Sequence, residues 1–235
     1  MKNYSKATLL LLFSLSSIAG PASFIGKAIH PETKKHLYSE EHTVEYKGEF
    51  VQKVVTKYKD PSGKEIAELT STFKDNHRLP ETTFNDKRNG YKEETKLAGD
   101  NYIITTTPAK GKSKSKKISV EDNLVCGQGY HNYIIKNLDS FKVGETKTIK
   151  FVLPSMRDYF SFDLTYLGPL EKGKPDEVTL RLDITNFILS MFADKIQVTY
   201  SKKEKTLLRY QGLTNLKNAD GDQYDALLNY TYPEN

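Results

Sequence analysis

The chain has 235 residues, a formal net charge of +5, one cysteine and no tryptophan. That length holds one domain, or two small ones, with a core large enough to stand without staples. A single cysteine excludes an internal disulfide framework, and the mild positive charge does not select nucleic acid as a partner.

Residues 1–22 read as a secretory signal peptide. Lys2 and Lys6 form a charged start, Leu9–Ile18 is a short apolar run broken by serines, and Gly20 and Ala22 are the small residues of a cleavage site after Ala22. The run is too short for a comfortable bilayer span, which needs about 20 apolar residues. No cysteine stands beside the site to take a lipid. The expected product is a single β-rich domain, residues 23–235, that is periplasmic or secreted and has no transmembrane anchor after cleavage.

From there the chain alternates with period two. His42, Val44 and Tyr46 share one face, and Val51–Tyr58 is rich in β-branched and aromatic residues. Asp60-Pro61-Ser62-Gly63 is a turn signature, and Ile66–Phe73 is the return strand. Thr82–Arg88 leads into Asn89-Gly90, the signature of a tight type I′ hairpin turn, with Tyr91–Leu97 returning. Tyr102–Thr107 follows. Pro108–Lys117 holds Lys110, Lys112, Lys114, Lys116 and Lys117 among glycine and serine, and reads as a flexible loop.

Gln128–Phe141 breaks the alternation. Tyr130, Tyr133, Ile134, Asn137, Leu138 and Phe141 fall at helical spacing, which predicts a covering helix. Further strands are expected at 145–153, 159–167, 178–184, 196–200, 207–213 and 224–232, with a short helix at Phe187–Phe192. The fold expected is mainly β and antiparallel: a strongly curved sheet or incomplete barrel of about eleven strands with one covering helix and a short second helix.

Candidate chemistry is sparse. Cys126 and His131 could pair as nucleophile and base, but nothing adjacent supplies an oxyanion hole or an orienting group, and a buried lone cysteine packs as a small hydrophobe. His30, His36, His42, His77 and His131 form no metal-ligand spacing. Asn218–Asp225 alternates oxygen ligands as calcium loops do, yet its glycine is misplaced and the closing glutamate is missing, so a hairpin turn is expected. No metal, no cofactor and no catalytic residue is expected.

The lysine loop could meet an anionic surface or an envelope protein. It lacks the aromatic platforms of a nucleic-acid site. Phe160, Phe162, Leu164 and Tyr166 line one strand face, and Leu180, Leu182 and Ile184 line the next. They suit either a packed core or the wall of a ligand cavity, because both demand apolar alternation. The expectation is a non-enzymatic binding protein that holds an apolar or amphipathic, lipid-like ligand. The alternative is an envelope structural or assembly factor.

Several segments, taken in order, resemble a family of exported bacterial proteins, mainly from Gram-negative organisms. They are Tyr58-Lys59-Asp60-Pro61-Ser62-Gly63-Lys64-Glu65-Ile66-Ala67, Phe84-Asn85-Asp86-Lys87-Arg88-Asn89-Gly90-Tyr91, Gly129-Tyr130-His131-Asn132-Tyr133-Ile134, Val152-Leu153-Pro154-Ser155 and Leu207–Asn215. The resemblance implies an exported β-rich protein and carries no activity, cofactor or catalytic residue with it. More distantly, the all-β pattern with a covering helix is similar to the open half-barrels of periplasmic lipid and lipoprotein carriers.

Overall fold

A computed structural model describes residues 20, 22–48, 50–185 and 196–233. The expected signal peptide, apart from Gly20 and Ala22, and the expected helix at Phe187–Phe192 lie outside the described residues. The strands are β1 Ser23–Ile29, β2 His36–Lys47, β3 Phe50–Lys59, β4 Glu65–Thr72, β5 Glu81–Asp86, β6 Lys92–Ala98, β7 Asn101–Thr107 and β8 Lys114–Ser119. Then come β9 Leu124–Cys126, the helix α1 Gly129–Asn137, β10 Thr146–Leu153, a 3-10 turn at Pro154–Met156, β11 Asp158–Pro169, β12 Glu177–Ile184, β13 Ile196–Ser201, β14 Thr206–Lys217 and β15 Gln223–Thr231.

All fifteen strands belong to one sheet, in the order β8-β7-β6-β5-β4-β3-β2-β1-β15-β14-β13-β12-β11-β10-β9. Each neighbouring pair is antiparallel except β9 with β10. Two meanders thus join through β1 and β15, the first and last strands, and the sheet's two edges, β8 and β9, are consecutive in the chain.

The expected count of about eleven falls short by the strands that carry least pattern. β1 presents only the small Gly26 and Ala28 at its buried positions. β9 is three residues long and wholly buried. β8 occupies Lys114–Ser119, so the expected lysine loop is a loop only over residues 108–113; its second half is an edge strand bonded to β7. All of β8 except Ile118 is lysine or serine at exposed positions, a composition that reads as coil without a partner strand.

The sheet curls round α1. Gln128, just before the helix, donates to Thr56 on β3 at 3.1 Å, and His131 on the helix hydrogen-bonds Tyr200 on β13. Five strand-to-strand steps separate β3 from β13 in the sheet order, so one short helix reaches both only inside a concave sheet. The seam between β8 and β9 closes by packing, without a ladder among the described residues. Leu124, Cys126 and Val152 form one cluster with Tyr102, Ile104 and Ile118, and Arg157 donates to Thr106 across it at 2.7 Å. The result is an open, barrel-like sheet.

Helix α1 ends earlier than expected, at Asn137. The amides of Ser140 and Phe141 both turn back to the Asn137 carbonyl, which stops the helix but still delivers Phe141 to the core. The Asp60–Gly63 turn forms as expected, with Asp60 Oδ1 accepting from the Ser62 and Lys64 amides and Gly63 at a φ of 87°. Asn89-Gly90 does not make a two-residue hairpin. β5 ends at Asp86 and β6 starts at Lys92, with Gly90 N–H bonded to the Asp86 carbonyl.

Candidate functional site

The concave face has two chemically distinct halves. The apolar half lies on β10–β13. Phe162, Leu164, Tyr166, Leu180 and Leu182 are buried there, while Phe160 and Ile184 pack partly buried at its margin. These are the seven residues read from the sequence as a core or a cavity wall, and the fold brings them together. Tyr130, Ile134 and Leu138 of α1 and its following turn, with Phe141, pack against them. Phe141 stacks on Tyr166 with ring centroids 5.6 Å apart. Burying side chains such as Leu164, Leu180 and Ile134 completely contributes about 2 kcal/mol each.

The other half, on β2–β6, sets a polar cluster among buried apolar side chains such as Tyr38, Val54, Tyr58 and Phe84; this polar half was not visible as a site in the sequence. Glu40 and His42 are two residues apart on β2 and so face the same way; both are buried. Thr56 is opposite His42 in the β2–β3 register, and Phe24 is opposite it on β1. The contacts form a chain. Gln128 Nε2 donates to Thr56 Oγ1, Thr56 Oγ1 and His42 Nδ1 share a hydrogen bond of 2.9 Å, and His42 Nε2 donates to Glu40 Oε2 at 3.0 Å. Tyr230 O–H donates to the same Glu40 oxygen at 3.1 Å. Phe24 stacks flat on the His42 ring at 4.1 Å.

A hydroxyl, an imidazole and a carboxylate in line are the parts of a nucleophilic relay. Here Thr56 is fully buried and its oxygen already has partners on two sides. The chain of contacts therefore ties β1, β2, β3 and the start of α1 together. The signal that could have found it is the placing of Glu40 and His42 at inward positions between Tyr38 and Val44, where a strand otherwise supplies apolar residues.

Further along the same face, Ser71, Thr82 and Thr95 occupy the inward positions of β4, β5 and β6. Thr95 Oγ1 bonds Thr82 Oγ1 and Tyr102 O–H, each at 2.7 Å. Ser71 Oγ and Gln128 Oε1 are buried without a hydrogen-bond partner. Both adjoin Thr56: Gln128 through its amide nitrogen, and Ser71 as its diagonal neighbour across the β3–β4 pair. Unpaired buried polar atoms are uncommon in folded proteins, and ordered water commonly satisfies such atoms.

Cys126 and His131 are not brought together. The Cys126 thiol is fully buried beside Tyr102 and Thr95, and burial pushes its pKa up to about 12, which denies it a thiolate. His131 points at Tyr200; burial, and then the nearby His42, hold its pKa down to about 3. His30, His36 and His77 are scattered, and among the described residues no group of three His, Cys, Asp or Glu side chains is placed to hold a metal ion. Asn218–Asp222 is a hairpin turn, closed by Asn218 Oδ1 accepting from the Asp220 and Asp222 amides. No helix among the described residues is long and apolar enough to cross a membrane.

Fold and site together define a class: an open, β-barrel-like sheet wrapped round a short helix. Among the solved structures that align with the chain is a β-barrel-like protein of the domain of unknown function DUF1849 from Brucella abortus. It has a TM-score of 0.54 and 7% identity over 92% of this chain and 98% of that one. At that identity the likeness is one of fold. No family model matches the sequence, and no curated protein does.

Proposed function

We propose that this is an exported, non-enzymatic binding protein that holds an amphipathic ligand in the concavity of its sheet. The observation that carries the reading is the division of the concave face. The apolar half on β10–β13 suits an acyl or similar chain. The polar half offers the unpartnered Ser71 Oγ and Gln128 Oε1 beside Thr56 to a neutral, hydrogen-bonding head group. Burial of Glu40 next to this place disfavours an anionic head. Since α1 lies on the apolar half, the chain of the ligand takes the place of α1 side chains, and the helix shifts as the ligand enters.

The test is displacement of a fluorescent monoacylglycerol, with hydrogen exchange on α1. Binding should speed exchange of the α1 amides. Ser71→Ala and Gln128→Leu, which remove the two polar atoms with little added bulk, should each weaken binding several-fold, with circular dichroism reporting whether the fold is kept. A probe that does not bind, or one that binds equally well to both variants and the wild type, contradicts the reading. The alternative, an assembly factor that adds a partner's strand to an open edge, gains less support. β9 is short and buried, with Cys126 N–H already bonded to the Arg78 carbonyl, and β8 is studded with lysine, a device that opposes strand addition.

A further inference from the structure

The lysine segment gains a neighbour in the fold that the sequence keeps far away. Lys110, Lys112, Lys114, Lys116 and Lys117 are all exposed at the free edge of the sheet. Lys116 is held by Asp158. Among the described residues, Lys110, Lys112, Lys114 and Lys117 have no carboxylate within ion-pair distance. The 3-10 turn Pro154–Met156 packs against β6 and β7. It sets Arg157 on Thr106, the residue opposite Lys114 in the register. Met156, 54% exposed, protrudes from that turn. Lys114, on the face of β8 shared with Lys116 and Ile118, is thus brought with the Arg157 guanidinium to the corner from which Met156 projects, with Lys110 and Lys112 in the adjoining loop; Lys117 points to the other face of the strand.

Lysines alone are explained as edge protection and solubility. Met156, one of five exposed large apolar side chains among the described residues, adds an apolar group at the corner where Arg157 meets the strand opposite Lys114. The geometry points to this corner as a docking site for the surface of an anionic phospholipid bilayer. The ammonium groups sit at the level of the lipid phosphates, and the Met156 side chain enters between head groups. The long, unpaired lysine side chains suit a fluid anionic surface better than a fixed partner.

The experiment is vesicle co-sedimentation of the full chain and its variants, using phosphatidylcholine vesicles and vesicles that also contain phosphatidylglycerol. The N-terminal apolar stretch is common to every variant, so differences between variants report on the corner. The wild type should partition preferentially to the phosphatidylglycerol vesicles, and salt should reverse this. Each lysine near such a surface is worth about a fivefold gain, so K110Q/K112Q/K114Q should lose about a hundredfold. M156S should lose several-fold at low and at high salt alike. K172Q/K203Q, at exposed positions on the β11–β12 and β13–β14 turns, should retain wild-type partition. The inference is overturned if the triple variant partitions within twofold of the wild type, if the two vesicle types bind equally, or if K172Q/K203Q loses as much as the triple variant. Capture of an envelope protein by the lysine segment without any vesicle preference would overturn it in favour of a protein partner. None of these outcomes bears on ligand binding in the concavity, which is read by the probe assay.

Discussion

His131 should make the fold acid-sensitive well above the range where carboxylates titrate. Its ring is packed between Tyr130 and Tyr200 and lies within electrostatic reach of His42; burial, then His42, lowers its pKa from 6.5 to about 3. The unfolded chain binds the proton more readily, so this contribution leaves stability untouched above pH 6.5 and erodes it as pH falls towards 3. A tenfold difference in proton affinity between the folded and unfolded chain corresponds to about 1.4 kcal/mol. Between pH 7 and pH 5 the loss is therefore about 2 kcal/mol, with a ceiling of about 5 kcal/mol near pH 3. His131 as a residue is half-buried, and residual solvent contact would lower the ceiling first. The assay is urea unfolding at steps of pH for the wild type and His131→Gln, a variant that retains a polar atom for Tyr200. The difference in unfolding free energy between the two should narrow by about 2 kcal/mol from pH 7 to pH 5 as the wild type alone weakens. Parallel pH profiles would refute the claim that His131 is held neutral in the core.

Three further outcomes rest on packing. A Cβ on Gly129 would lie 2.0 Å from the Arg78 carbonyl oxygen and 2.5 Å from its carbon, so Gly129→Ala must push α1 off the 76–80 segment. It should cost about 3 kcal/mol, seen as a drop of several degrees in Tm, whereas an unchanged Tm would mean that the segment yields freely. Glu40→Leu strands the His42 and Tyr230 donors and should cost about 2–5 kcal/mol. Adding His42→Leu should return part of that loss, and strict additivity of the two would show that they do not interact. Cys126, with its thiol pKa near 12, should not react with a thiol reagent at pH 8 until the protein is unfolded, and rapid native labelling would show that the seam opens.

What the sequence disclosed depended on whether a feature is local. The strands of the hairpins could be read because alternation and turn residues repeat within a few positions, as at Asp60–Gly63. The stripe of Tyr130, Ile134 and Leu138 announced α1 by the same logic, and the apolar faces of β11 and β12 alternate within each strand. β9 could not be read because it exists only by docking beside β10 and against Tyr102 and Ile118. β8 hid behind its lysines. The polar half of the concavity needs Glu40, His42, Thr56, Gln128 and Tyr230, drawn from β2, β3, β15 and the start of α1, and no spacing in the sequence connects them. The Met156 corner was invisible for the same reason, since Arg157 and Thr106 meet only when the sheet curls back on itself.

Native mass spectrometry of the protein isolated from the cells that produce it, in detergent-free buffer, tests ligand binding in the concavity most directly. A neutral amphipathic adduct of lipid size, lost on organic extraction and reduced in Gln128→Leu, is the predicted result. A bare polypeptide mass, together with no uptake of added monoacylglycerol, would contradict the claim that the concave face is a binding site.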